Sequence, residues 1–322
     1  MKNFLRQLFL VVPFGIIFSV QAQNYPNQTI RMIVPFPVGG GADLAARVIA
    51  TNISPLVGQP VVIENYGGAG GTIGTARAAQ AAPDGYTIFV GTPSTHGTNK
   101  AVLANLSYDP VRDFSPIALI GTSPFLLIVY PGVPASSAKE LIALAKSKPG
   151  ELNYASFGNG SINHLGAELF NSMANIDVRH IAYRGGAPAL ADLIAGRTQY
   201  TFDGTAALPA IRASQVRLLA VGSAQRWHVF PDVPTVAESA LPGFDLSTWY
   251  GLFAPAKTPQ PVIDLLNARL NAVLQLAPAK EAFAKMGFDP AGGAPDVLAK
   301  KVQAEVDKWV AVAREKNIKV EP

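Results

Sequence analysis

The 322-residue chain is 49% hydrophobic and only 15% charged, against roughly 25% charged in an ordinary soluble protein. That excludes a disordered, solvating chain, and 29 glycines with 26 prolines lacking a triplet period exclude a collagen-like or low-complexity one. The absence of cysteine removes disulfides, thiolate metal sites and a cysteine nucleophile, while the net charge of +4 comes with no basic run longer than Lys300-Lys301, so nucleic acid is not an expected partner.

At the N-terminus, Lys2 and Arg6 precede an apolar stretch from Leu8 to Val20 that ends in Val20-Gln21-Ala22. This is the basic region, apolar region and small-residue cleavage site of a secretory signal. The stretch is broken by Pro13 and Gly15 and is shorter than the roughly 20 residues of a membrane span. A signal peptide over residues 1–22, cleaved after Ala22, is therefore expected, with the mature protein in the periplasm. Lys2 and Arg6 would leave with it, halving the net positive charge.

Short apolar runs then alternate with helical periodicity, the pattern of an α/β protein. Ile30–Pro35 reads as a buried strand, followed by Gly39-Gly40-Gly41 and a helix carrying Ala45, Ile49, Ile53 and Leu56 on one face. Val61–Glu64 is a second strand, Ile73–Ala81 a helix, and Tyr86–Gly91 a third strand, a βαβαβ series that implies a parallel sheet. Ile117–Tyr130 holds two apolar runs split by Gly121 and Pro124, after which a second α/β series begins. It comprises a helix at Ser137–Lys146, a strand at Leu152–Ala155 and a helix at Ser161–Met173, then strands at Val178–Ala182, Gln199–Phe202 and Val216–Val221. Thr248–Ala254 reads as a crossing, and amphipathic helices fill the tail, with Leu298, Val302, Val306, Trp309 and Ala313 on one face. The expected architecture is two α/β lobes with two hinge crossings and a ligand cleft between them. Residues 23–122 plus 249–322 form lobe 1, and 123–248 form lobe 2.

Two glycine loops stand between a strand and a helix: Pro35–Asp43 and Ser156–Ser161. Each reads either as a turn needed only for its geometry or as an anion cradle, because glycine backbone and helix N-terminal amides favour negative charge. Together they suggest an anion held between two helix N-termini. Asp43 reads as a helix cap paired with Arg47, and Ser161 or Asn159 as the cap of the next helix. His164, flanked by Leu165 and Leu169, reads as a packed structural histidine. Thr92, Ser94, Thr95 and His96 follow the third strand, Asp203 ends the strand at Gln199–Phe202, and Tyr183-Arg184 end another, all at carboxyl ends facing a cleft. The GxxxxGK[ST] and GxGxxG signatures are missing, the histidines lack zinc spacing, and no GxSxG elbow occurs. No cofactor, metal or catalysis is expected.

The run Ile30–Pro37 with its glycines and Asp43 resembles the start of Bug-type receptors, the periplasmic solute-binding components of tripartite tricarboxylate transporters. Gly58–Val62, Gly68–Gly71, Ala81–Tyr86, Tyr108–Pro110, Tyr154–Ser156, Gly160-Ser161, His164-Leu165, Pro231–Thr235 and Trp249 extend the resemblance in order. It implies a type II periplasmic binding protein that closes on a small carboxylate held by backbone amides, hydroxyls and water. Phe36, Gly39, Gly40 and Gly41 would act from one side, and Ser156, Gly158, Gly160, Ser161 and His164 from the other. Thr92, Ser94, His96, Tyr183 and Asp203 would select the distal end, with Asp203, if it faces the ligand, favouring a substrate with an amine or hydroxyl donor. The implied ligands are a di- or tricarboxylate, an acidic amino acid or an aromatic acid. The implied partners of this monomer are membrane permease subunits. A membrane sensor kinase is the alternative partner, and a secreted hydrolase using Ser161 or His164 is a third reading.

Overall fold

The computed structural model describes residues 25–315 and Ile318; the expected signal peptide lies outside these residues. Strands β1 (Ile30–Val34), β2 (Val61–Asn65) and β3 (Thr87–Gly91) alternate with helices α1 (Gly41–Val57) and α2 (Thr72–Ala79). The pairing of β1 with both β2 and β3 is parallel, as the short crossovers require. After α3 (Asn99–Val102) comes the long strand β4 (Phe114–Pro124). Gly121 does not break β4, because β10 and β11 pair on either side of it.

The chain changes sheets at Phe125. The second lobe holds β5 (Leu126–Val129), α4 (Ala138–Ser147), β6 (Asn153–Ser156), α5 (Ile162–Ala174) and β7 (Arg179–Ala182). It continues through α6 (Gly186–Ile194), β8 (Tyr200–Asp203), α7 (Leu208–Arg212), β9 (Arg217–Val221) and α8 (Val236–Ser239). The chain then returns through β10 (Ser247–Pro255), α9 (Gln260–Gln275), α10 (Ala277–Lys285), β11 (Asp289–Gly292) and α11 (Pro295–Glu315). The sheets run β11-β4-β10-β3-β1-β2 and β7-β6-β8-β5-β9. Thr248–Ala254, read as a crossing, is thus a central strand of the first sheet, antiparallel to β3 and β4. Helix α6 and strand β11 escaped the sequence reading.

The two crossings lie side by side. Phe125 donates its N–H to Leu246 O at 3.3 Å, Gly222 donates to Phe125 O at 2.7 Å, and Leu246 donates to Gly222 O at 2.8 Å. A narrow backbone ladder thus joins two lobes that each have their own core. Ile30, Met32, Ile49 and Leu266 pack on one face of the first sheet; Phe89, Trp249, Leu298 and Val302 pack on the other. Tyr154, Phe170, Phe202 and Phe244 anchor the second lobe. Full burial of such side chains contributes about 1.5–3 kcal/mol each. Helix α11 spans both lobes: Leu298 belongs to the first core, whereas Trp309 packs in the second. Between them Glu305 accepts the indole N–H of Trp249 at 3.0 Å and of Trp309 at 2.6 Å.

Candidate functional site

The first glycine loop leaves the carboxyl end of β1 and is fixed by a buried carboxylate. Asp43 accepts the Gly39 N–H at 2.9 Å, the Asn65 amide at 3.0 Å and two bonds from Arg47 at 2.9 and 3.1 Å. Burial opposes its charge, but Arg47, Gly39 and Asn65 outweigh that and hold the carboxyl below its ordinary range. Asp43 therefore shapes the loop from within α1, and Gly40 occupies the cap position. The leading amides of α1 have no intrahelical acceptor and open onto a cavity of about 260 Å³ between the lobes.

That cavity is walled chiefly by apolar groups: Phe36 and Ala42 from the first lobe, and Phe125, Phe157, Leu190 and Ile194 from the crossing and second lobe. Gly39, Gly40, Gly41, Thr92, Ser94 and Asp203 also line it, so seven of the sequence candidates, including Phe36, share one wall system. Tyr250 and Thr248 reach it from β10, and Gly186 and Ala187 from the start of α6. Pro188, the third residue of α6, has no N–H to satisfy, so Gly186 and Ala187 carry the free amides there. No lysine, arginine or histidine is among its lining residues. Its volume is below the ~300–1,000 Å³ usual for drug-sized ligands, which suits a small metabolite.

The other seven candidates are not among the lining residues. His96 is fully buried, stacked on Phe253 with ring centroids 4.2 Å apart, and burial pushes its pKa down to about 3. Ser156 meets His180 Nε2 at 2.5 Å and accepts the Gly158 N–H at 3.2 Å. Ser161 stands at the cap position of α5 without capping it: its hydroxyl bonds Gly158 O at 2.6 Å and Asn163 Oδ1 at 2.8 Å. Gly160 donates its N–H to His164 Nδ1 at 3.2 Å, and His164 stacks on His180 at 3.9 Å. Burial, then His180, lowers the His164 pKa to about 3. Tyr183 donates to Asp192 at 2.8 Å, and Arg184 is exposed. The second glycine loop is thus wired for its own shape, and only Phe157 and Ile162 reach from its neighbourhood to the cavity.

The helix pair facing the cavity with free leading amides is therefore α1 and α6, one from each lobe. At α5 the Ile162 N–H is already taken by Ser94 Oγ at 2.9 Å. The signal for α6 was in the sequence: Gly185-Gly186 form a third strand-to-helix glycine turn, and Ala189 and Leu193 carry the buried face.

Asp203 sits at the cavity wall, 2% exposed. Its Oδ1 accepts the Gly204 N–H at 2.7 Å, while Oδ2 has no hydrogen-bond partner among the described residues. No group of three or more metal-ligating side chains occurs among those residues.

The family model for the tripartite tricarboxylate transporter family receptor, TctC, matches residues 45–318. Protein BugT of Bordetella pertussis is 37% identical over 308 residues, 95% of this chain and 94% of that one. A solved R. palustris protein with adipate is 36% identical, with a TM-score of 0.89 over 92% of this chain and 99% of its own. MatC from Rhodopseudomonas palustris with bound malate is 37% identical, with a TM-score of 0.87 over 89% and 99%.

Proposed function

Since the chain belongs to the tripartite tricarboxylate transporter receptor family, whose members are periplasmic solute-binding receptors rather than enzymes, we propose that it captures a small carboxylate between its lobes and delivers it to the membrane subunits of such a transporter. The observation that carries this reading is the pair of helix N-termini, α1 and α6, opening from opposite lobes onto one apolar-walled cavity without a cationic side chain. Backbone amides and helix dipoles stabilise a carboxylate in such a place without a counter-ion. The first lobe runs to Pro124 and resumes at Ser247, the second lies between them, and the two close about the crossings at Phe125 and Leu246, with α11 reaching from the first core to the second. The protein works as a monomer after removal of residues 1–22.

The neighbours solved with adipate and malate put dicarboxylates first in the panel, followed by tricarboxylates, acidic amino acids and aromatic acids. The mature chain, unfolded and refolded to strip carried ligand, is screened by thermal shift. A ligand at a hundred times its Kd adds about 2.7 kcal/mol of stability. A selective rise in Tm supports the receptor reading. Folded protein that responds to no carboxylate overturns it.

A further inference from the structure

Asp203 brings a problem of charge to this cavity. An anionic ligand would share the cavity with a carboxyl whose Oδ2 is buried and unpartnered among the described residues, and no lysine, arginine or histidine lines the wall to offset the second negative charge. Two like charges so placed repel strongly at low dielectric, and a buried acceptor without a donor is itself costly. There are two ways out. The carboxyl takes up a proton and becomes a donor to the ligand, or the ligand brings its own cationic donor.

We propose that Asp203 sets the charge of the ligand this receptor accepts: plain carboxylates bind with one proton taken up on Asp203, whereas amine-bearing carboxylates bind with Asp203 ionised. The proposal rests on the reading of the cavity as a carboxylate site. It assigns Asp203 a role beyond contact, because it couples capture to pH with opposite sign for the two classes of ligand.

The surroundings agree. Burial alone already pushes the Asp203 carboxyl up to about 7, against the single opposing Gly204 bond. From β10, Tyr250 faces it. Burial raises the Tyr250 pKa most, a Thr248 hydrogen bond opposes that, and the Asp203 charge adds to the rise, so this phenol stays neutral. Other titratable groups around the second lobe are engaged elsewhere. On α5, Glu168 accepts from Tyr154 and His164 from Gly160; on α6, Asp192 is held by Tyr183 and Arg197. On α1, Asp43 is bound by Arg47, and on β7, His180 contacts Ser156. Among the described residues, none of these supplies a cation to Asp203.

The test is titration calorimetry on the whole mature protein, with adipate, malate, L-aspartate and L-glutamate as probes. Each is measured in two buffers of different ionisation enthalpy, between about pH 6.5 and about pH 8, where the probe carboxylates are already ionised. For adipate or malate the expected result is proton uptake that climbs from about a quarter of a proton at pH 6.5 to close to one at pH 8, as the free carboxyl with its pKa of about 7 ionises, with affinity weakening towards tenfold per pH unit at the upper end. For the amino acids the sign reverses, with release of about three-quarters of a proton at pH 6.5 that falls to nearly none by about pH 8. Asp203→Asn should bind the plain acid with a flat pH profile and lose at least about tenfold in affinity for the amino acids. Plain-acid binding to the wild type without proton uptake at about pH 8 overturns the proposal, as does an equal loss of every ligand in Asp203→Asn. Should that variant fail to fold, the wild-type proton count decides alone. Failure of all four probes and the wider carboxylate panel to bind is the separate result that removes the carboxylate reading itself, and this proposal with it.

Discussion

The hydroxyl oxygen of Ser94 accepts the N–H of Ile162 at 2.9 Å, tying the turn after β3 to the first residue of α5 across the cleft. Beside it, Thr98 Oγ1 donates to Gly160 O at 2.5 Å. Both bonds join the two lobes. Ser94→Ala removes the first and leaves the Ile162 amide without its acceptor when the lobes meet. Ligand affinity should fall about five- to tenfold, the equivalent of one neutral hydrogen bond of about 1 kcal/mol. Calorimetry against the identified ligand checks this, and an unchanged Kd removes the bond from the closure mechanism.

Gly70 brings its backbone close against the opposite lobe. It holds φ 63°, and a Cβ added there would run into the Asn159 carbonyl oxygen, with the Ser161 nitrogen at 3.3 Å. Both are on the opposite lobe, so Gly70→Ala should act as a wedge. The expected variant melts within a few degrees of wild type without ligand but binds at least about tenfold more weakly, because ligand shifts the closed population only by its differential affinity. Small-angle scattering should show no compaction when ligand is added. Compaction equal to wild type would show that the loop yields instead.

The sequence carried the frame of this site better than its filling. Strand-glycine-helix punctuation marked the first loop because φ-permissive residues and β-branched runs are local signals. The Asp43–Arg47 pair was equally readable, since i,i+4 spacing fixes it. What it could not show is which way a polar group turns. Ser156, Ser161 and His164 have the residue types of a binding loop, yet their bonds run to Gly158, His180 and Gly160. Thr92 and Ser94 line the cavity while His96, two residues on, enters an aromatic core, a choice made by the π-helical turn at Ser94–Thr98. Tyr250 was invisible because its place depends on β10 inserting between β3 and β4, a pairing far apart in sequence.

Asp43 offers a stability prediction. Its side chain is 1% exposed and satisfies Arg47, Gly39 and Asn65 together. Asp43→Ala strips the acceptor from all three and should cost about 3 kcal/mol, the range for breaking one side of a buried charged network. Asp43→Asn should cost less, because an amide oxygen still accepts from Gly39. Urea unfolding at neutral pH measures both. Equal, small losses would mean that the loop is held by its backbone alone.

Gly41 is constrained by space rather than by dihedral. A Cβ there would collide with the Tyr250 hydroxyl, with the ring carbon Cζ at 3.2 Å. Tyr250 is itself fixed on a central strand and packed against Phe288 at 4.7 Å, so it has little room to retreat. Gly41→Ala should destabilise by about 1–3 kcal/mol through overpacking. Removing the offending oxygen in Gly41→Ala/Tyr250→Phe should restore at least half of that. Additive losses in the double-mutant cycle would place the strain elsewhere.

His96 lets the acid limb of stability be taken apart. It is fully buried, with Phe253 at 4.2 Å and Phe114 at 4.8 Å between centroids, and Nε2 has no partner among the described residues. Burial lowers its pKa from 6.5 to about 3. Between those values the unfolded chain binds a proton that the folded protein refuses, so stability is complete above pH 6.5 and declines as the pH falls. His164 and His180, lowered by burial to about 3 and about 4, act in the same direction. Asp203, raised by burial to about 7, acts in the opposite one, because the folded state protonates first. The wild-type curve is their sum, but a difference against His96→Phe isolates one term while keeping a stacked ring. Near neutral pH the two proteins should lie within about 1 kcal/mol of each other. On acidification from pH 6.5 the variant should gain about 1.4 kcal/mol per pH unit on the wild type, about 2.5 kcal/mol by about pH 4.5. Denaturant midpoints at a series of pH values test this directly. A constant difference would mean that the imidazole accepts its proton equally well in the folded protein, and that the aromatic box around it opens before the lobes unfold.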